Sequence, residues 1–303
     1  MRSTVFRRSI LLPVLLALLV AACTAPATGF RASGVRVVAA ENFWGSIAAE
    51  LGGPRATVVS IVRDPAQDPH SYEPTATDAR TVAAARLAIV NGIGYDPWAA
   101  QLLAADSVSG QNVITVGGVL GLADGANPHR WYSPSNVDAI ASSITADLQR
   151  LDAGHAAYYA RRLAAFESAG LARYHAMISA IRARYAGVPV GASESIFALQ
   201  APALGLDLIT PPGLMRAVSE GTDVTAQDTR TAERQINSHL IKVWVYNSQN
   251  ATPLVQELST LARTARIPVV PITETLDPPS ASFEQWQVSQ LERLDRALHE
   301  VTG

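Results

Sequence analysis

The sequence predicts an α/β protein built as two similar lobes, each with a four-stranded, mainly parallel sheet, joined by one long rigid helix. Three observations predict it. Four short apolar runs alternate with helix-like stretches before residue 154, four more do so after residue 186, and an unbroken helical periodicity lies between them. The chain has 303 residues, 48% of them hydrophobic, which is enough for a substantial core and long for one domain. The expected boundaries are a signal peptide at 1–22, a tether at 23–34, a first lobe at 35–153, a linking helix at 154–186 and a second lobe at 187–303.

In the first lobe, Val35–Ala40, Thr57–Val62, Leu87–Val90 and Val113–Val116 read as buried strands. Helical stretches fall at Ser46–Leu51, at Asp78–Ala85 with Thr77 or Asp78 as cap, and at Asn136–Leu151. The segment His155–Tyr185 keeps Tyr159, Leu163, Phe166, Tyr174, Ile178 and Ile181 at helical spacing, with arginines on other faces. At 1.5 Å per residue it spans roughly 45 Å, with Gly170 as its weak point and Gly187 and Pro189 as its stop. The second lobe offers strands at Val188–Ala192, Leu206–Thr210, Lys242–Tyr246 and Pro268–Thr273. Its helical stretches are Ser195–Ala203, Ala226–Ser238 and Pro253–Arg266.

The first segment carries an address. Arg2, Arg7 and Arg8 precede an apolar run that ends in Leu19-Val20-Ala21-Ala22-Cys23, and Cys23 is the sole cysteine. Small residues before a lone cysteine fit a bacterial lipobox, which would make Cys23 the lipidated N-terminus and residues 23–34 a tether. A single cysteine also excludes any intrachain disulfide. A net charge of −2 without a basic cluster leaves no footprint for nucleic acid.

Two loops carry the candidate chemistry. Asp68-Pro69-His70-Ser71-Tyr72-Glu73-Pro74 follows the second strand and is echoed by Asn127-Pro128-His129-Arg130-Trp131-Tyr132-Ser133-Pro134. Prolines on both sides of each histidine stiffen the backbone and present one imidazole apiece. In an open α/β sheet, ligands gather beyond the carboxyl ends of strands. There the second lobe delivers Ser193-Glu194-Ser195 and Thr273-Glu274-Thr275. Two imidazoles and two carboxylates complete a first shell for a first-row divalent metal and neutralise its charge. Taken singly, Glu194 also suits a helix N-terminus and Glu274 a solvated loop. Asn247, at a strand end, is a further candidate beside the ligands, and Trp44, Trp131 and Tyr132 are candidates to cover the cleft.

These motifs resemble the cluster A-I metal-binding lipoproteins of ABC importers, the TroA-like zinc and manganese receptors. The resemblance runs along nearly the whole mature chain and rests on the two Pro-His motifs, Val90-Asn91-Gly92-Ile93-Gly94, the linking helix and Ser193-Glu194-Ser195. It implies a TroA-like fold, with His70, His129, Glu194 and Glu274 as metal ligands and no enzymatic role. The implied cargo is a divalent metal, manganese or zinc, with iron as a third candidate. It further implies a monomer held outside the cytoplasm on the bacterial cell membrane through Cys23, passing its ion to an ABC importer permease. Two departures bear on the metal: zinc-type members usually place histidine where Glu194 stands, and the fourth ligand is usually aspartate rather than glutamate. Carboxylates suit manganese, while intrinsic affinity rises toward zinc. Binding needs neutral imidazoles and ionised carboxylates, which predicts affinity that falls as pH drops through about 6.

The rival readings are an extracellular metallohydrolase and a surface adhesin. A catalytic metal keeps an open position and a nearby base, which four protein ligands do not favour. Gly191-Ala192-Ser193-Glu194-Ser195 lacks the second glycine of a nucleophile elbow. His155, His175, His239 and His299 lie in helical or polar contexts and read as solvated.

Overall fold

The computed structural model describes residues 34–105 and 109–303. Cys23 and the tether at 23–34, apart from Gly34, lie outside the described residues. Strand β1 (Val35–Glu41) runs straight into helix α1 (Asn42–Gly52), followed by β2 (Ala56–Val62), α2 (Ala76–Ala84), β3 (Leu87–Val90), α3 (Pro97–Ala105), β4 (Asn112–Thr115), the single turn α4 (Val116–Val119) and α5 (Pro134–Leu151). The strands form one parallel sheet in the order β2-β1-β3-β4. After the linking helices α6 (Ala156–Ala165) and α7 (Ala172–Tyr185) come β5 (Pro189–Ala192), β6 (Asp207–Leu208), α8 (Pro212–Ser219), α9 (Ala226–Asn237), β7 (Trp244–Asn247), α10 (Pro253–Thr264), β8 (Val269–Ile272) and α11 (Phe283–Thr302). The second sheet repeats the first, in the order β6-β5-β7-β8 and again parallel. In both sheets the order reverses at the first strand, so a crevice opens at its carboxyl end.

Local chemistry moves several expected boundaries. Helix α2 is capped by Thr75, not by Thr77 or Asp78: the Thr75 hydroxyl accepts from the Asp78 N–H, and the Asp78 carboxylate accepts from the Thr75 N–H, a reciprocal box. Strand β6 has two residues rather than five because it is an edge strand, and the hydroxyl of Thr210, 2.9 Å from the Ala192 N–H, takes a bond that ladder backbone would otherwise make. The expected helix at Ser195–Ala203 shortens to a 3₁₀ stretch, Ser195–Leu199. Helices α3, α8 and α11 went unread, although Phe283, Trp286, Leu291, Leu294 and Leu298 of α11 all face the core.

The linking helix is present and carries one irregular turn. Residues Phe166–Gly170 form a π turn between α6 and α7, closed by the Leu171 N–H donating to the Phe166 carbonyl at 2.8 Å. Gly170 suits this place, since a Cβ there would lie 3.1 Å from Glu50 Oε1 and 3.3 Å from the Phe166 ring. Tyr159, Phe166, Tyr174, Ile178 and Ile181 on the linking helices join a single apolar core that also holds Val37 and Ile89 of the first sheet and Val190 and Val245 of the second. Burial along one stripe gives the connection its stiffness. Hydrogen bonds also cross between the lobes: Tyr132 to the Thr273 carbonyl (2.7 Å), Leu276 N–H to Asn42 Oδ1 (3.1 Å) and Phe283 N–H to Ser46 Oγ (2.9 Å). Among the described residues no helix is long and apolar enough to cross a membrane.

Gly191 in β5 shows how tightly the second sheet is packed. A Cβ there would stand 2.7 Å from the Trp244 ring and 2.8 Å from Ile241 Cδ1. Gly191→Ala is therefore expected to destabilise the fold by about 1–3 kcal/mol, read as an earlier midpoint in chemical denaturation. An unchanged midpoint would show that Trp244 repacks freely.

Candidate metal centre

Each candidate ligand stands in a loop that its own neighbours hold in shape. Asp68 accepts from the His70 N–H (2.9 Å) and from the Ser71 hydroxyl (3.0 Å), which folds Pro69–Ser71 into a short 3₁₀ turn after β2. The His70 ring rests edge-on against Tyr95, 4.5 Å between centroids. For His129, Asn127 Oδ1 accepts from the backbone N–H at 3.1 Å and lies 2.9 Å from Nδ1. Nδ1 must therefore carry the proton, which leaves the Nε2 lone pair free. The loop is pinned from behind: Trp44 Nε1–H donates to Asn91 Oδ1 and the Asn91 amide donates to the Pro128 carbonyl, both at 3.0 Å. Trp131 lies 5.3 Å from His129 and stacks on Phe43 at 3.8 Å, so this side of the site is walled by aromatic rings.

Glu194 follows β5 at the start of the 3₁₀ stretch but makes no capping bond there, and it is fully buried. Glu274 follows β8 and is buried rather than solvated. Its backbone N–H donates to Gln249 Oε1 at 2.6 Å. Asn247, at the end of β7, bridges the two acids: its amide nitrogen donates to Glu194 Oε2 at 2.8 Å and to Glu274 Oε1 at 2.6 Å. The Tyr95 hydroxyl donates to Glu274 Oε2 at 2.7 Å.

All four side chains named from the sequence come together. One donor atom from each of His70, His129, Glu194 and Glu274 lies within 4.8 Å of the others. His70 Nε2 is 3.6 Å from Glu274 Oε2, and His129 Nε2 is 3.7 Å from Glu194 Oε1. Two donors on an edge of a tetrahedron with bonds of about 2.05 Å stand roughly 3.3 Å apart, so a small inward shift would bring these pairs to ligand spacing. His70 Nε2, His129 Nε2 and Glu194 Oε1 are buried atoms without a hydrogen-bond partner. Native interiors rarely leave such atoms unsatisfied, and here three aim at one point.

Burial dominates the electrostatics. It pushes the Glu194 carboxyl up from 4.5 to about 8, with the charge of Glu274 adding to the rise. Glu274 is raised as well, by burial, against the opposing pull of His70. Burial holds His129 well below the ordinary histidine value of 6.5, so it is neutral at physiological pH and its contact with Glu194 is not an ion pair. A set of raised acids beside a lowered base is poised to exchange protons for a cation.

Several participants escaped sequence reading. Tyr95 and Gln249 touch Glu274 or its backbone from other loops, and no local motif announces a partner that only the fold supplies. Glu41, at the end of β1, is fully buried, with burial and Asp96 both raising its carboxyl. Asp96 accepts from the Asn91 and Gly92 N–H groups at 2.7 Å, which shapes the Val90–Gly94 turn. Of the other histidines, His155, His239 and His299 are exposed and His175 is partly exposed, all outside the site. The site opens into a cleft of about 740 Å³ lined by Asp68, His70, Ser195, Arg216, Glu220 and Asn250, among others.

Residues 37–297 match the family model described as ZnuA, zinc-uptake complex component A, periplasmic. The chain is 29% identical over 160 residues to the manganese-binding lipoprotein MntA of Halalkalibacterium halodurans, covering 50% of this chain and 52% of that protein. It is 30% identical over 149 residues to the iron-binding protein YfeA of Yersinia pestis, covering 47% and 46%. The chain thus spans about half the length of the relatives it matches. Among solved structures, a metal-free mutant form of the periplasmic metal-binding protein of Candidatus Liberibacter asiaticus superposes with a TM-score of 0.73 at 19% identity, over 87% of this chain and 99% of the other. FpvC of Pseudomonas aeruginosa in complex with Mn²⁺ gives 0.70 at 19%, over 88% and 99%. Likeness at such identities establishes the fold.

Proposed function

We propose, from the premise that this chain belongs to the ZnuA family of periplasmic zinc-uptake components, that it captures one divalent transition metal between its lobes and delivers it to an ABC importer permease. The ligands are His70, His129, Glu194 and Glu274. The observation that carries this reading is their convergence from four loops of two lobes, with three buried donor atoms left unpartnered. An N₂O₂ set suits manganese, iron and zinc alike, and the relatives named for manganese and for iron support all three as candidates. The protein acts outside the cytoplasm as a monomer, tethered through a lipid on Cys23, and has no enzymatic activity of its own.

The test is elemental analysis of protein purified from its own host, followed by competition among manganese, iron and zinc. One ion per chain is expected. His129→Ala, prepared identically, should carry roughly a tenth or less of that load while keeping its circular-dichroism spectrum. A folded His129→Ala protein with a full load would remove this site from consideration. Radiolabelled palmitate should enter the intact chain and fail to enter a Cys23→Ser variant.

A further inference from the structure

We propose that Asn247 limits each carboxylate to one oxygen at the metal, and so sets the balance between zinc-like and manganese-like ions. This inference rests on the metal-receptor reading above. Asn247 is fully buried, and its amide cannot be turned around, because Oδ1 accepts from the Gln249 N–H at 3.0 Å. Its backbone is anchored as well, by the N–H donating to Ser193 Oγ at 3.2 Å. Both amide hydrogens are therefore committed, one to Glu194 Oε2 and one to Glu274 Oε1.

That leaves Glu194 Oε1, which has no partner, and Glu274 Oε2, which accepts from the Tyr95 hydroxyl and faces His70 Nε2 with its remaining lone pair, as the oxygens offered to an ion. For either acid to chelate through both oxygens, the oxygen held by Asn247 would have to swing its remaining lone pair toward the ion and strain that hydrogen bond. Four single donors satisfy zinc, which is content with tetrahedral coordination. Manganese gains more from additional oxygens, and ligand number and flexibility decide between such ions where raw affinity does not. Asn247 imposes the lower ligand count without adding charge, which an aspartate at the same place would do.

Two variants test the assignment. Asn247→Leu keeps the volume and removes both donors. Asn247→Ala likewise removes both donors and adds neither charge nor oxygen. Zinc and manganese affinities are measured separately by chelator competition at one pH, with thermal melts of the metal-free proteins as a check on folding. In both variants the ratio of zinc to manganese affinity is expected to fall by about tenfold. Equal losses for the two ions would make Asn247 a merely structural neighbour and overturn the inference, while the receptor reading would stand. An independent measurement uses the unmutated protein: infrared carboxylate bands and X-ray absorption of zinc- and manganese-loaded samples should show one-oxygen coordination by both acids. Two-oxygen coordination there would overturn the inference. Unmutated protein that takes up neither ion would sink the receptor reading and this inference with it.

Discussion

Glu194→Gln is expected to lose metal affinity by about a hundredfold or more and, at the same time, to make the metal-free protein more stable. The two effects share one cause. Glu194 is buried beside Glu274, and its carboxyl is raised to about 8 from an unfolded value of 4.5. At pH 7 the unfolded chain would release this proton while the folded chain holds it, which opposes folding by on the order of 3 kcal/mol. Glutamine has the same shape and a carbonyl oxygen able to accept from Asn247, but carries no titrating group. Thermal unfolding of the metal-free variant should therefore shift upward by several degrees, while calorimetric titration shows the lost affinity. A variant that melts lower than the parent, or one that binds as tightly, would refute the account of Glu194 as a strained acid held for a cation. Sites that bind ions are commonly less stable empty than a neutral substitute would be.

The second large effect is on pH dependence. Between 4.5 and about 8 the folded protein keeps a proton on Glu194 that the unfolded chain has lost, so the stability of the metal-free protein falls as pH rises through that window. His129 works in the opposite sense lower down: its folded value lies well below 6.5, so its contribution is complete above 6.5 and is lost as pH falls beneath it. The range from 6.5 to 8 thus belongs to the carboxylate, and the metal-free protein should melt earlier at pH 8 than at pH 6.5. Metal affinity should rise over the same range by up to about tenfold per pH unit, since the ion displaces the Glu194 proton. Titration at pH 7 in buffers of different ionisation heat should report net proton release on binding, with the Glu194 proton among those lost. The raised carboxyl extends upward in pH the fall in affinity expected as pH drops through about 6. His129 is already held neutral by its surroundings, so in this range the raised acid adds to the profile. A metal-free melting temperature that rises steadily from pH 6.5 to 8 would contradict it.

The parts of this molecule that were legible in the sequence are those written in local chemistry. Proline flanks mark the loops of His70 and His129, and apolar runs mark seven strands nearly to the residue, which places Glu194 and Glu274 at strand ends from the sequence alone. Asn247 was visible for the same reason. Tyr95 was not, because its meaning depends on Glu274, 179 positions away in the chain. Glu41 gave no signal either: a carboxylate closing a strand reads as exposed, and only the helix that follows without a loop turns it inward. The edge strand β6 was overread because its side chains look like a strand while a threonine hydroxyl does part of the pairing. Local rules locate candidate ligands well, whereas the residues that orient them are set by tertiary contact.

The four donors are not equally reachable. The side chain of His70 keeps about a quarter of its surface in contact with water (26%), against 2% for Glu274 and none for His129 and Glu194. If the four hold an ion, His70 is the one among them that borders solvent. On the receptor reading, arrival would end with the making of the His70 bond and departure would begin with its breaking. On the same reading, a permease engaging the rim around Asp68 and His70 would meet the one donor side chain that borders solvent.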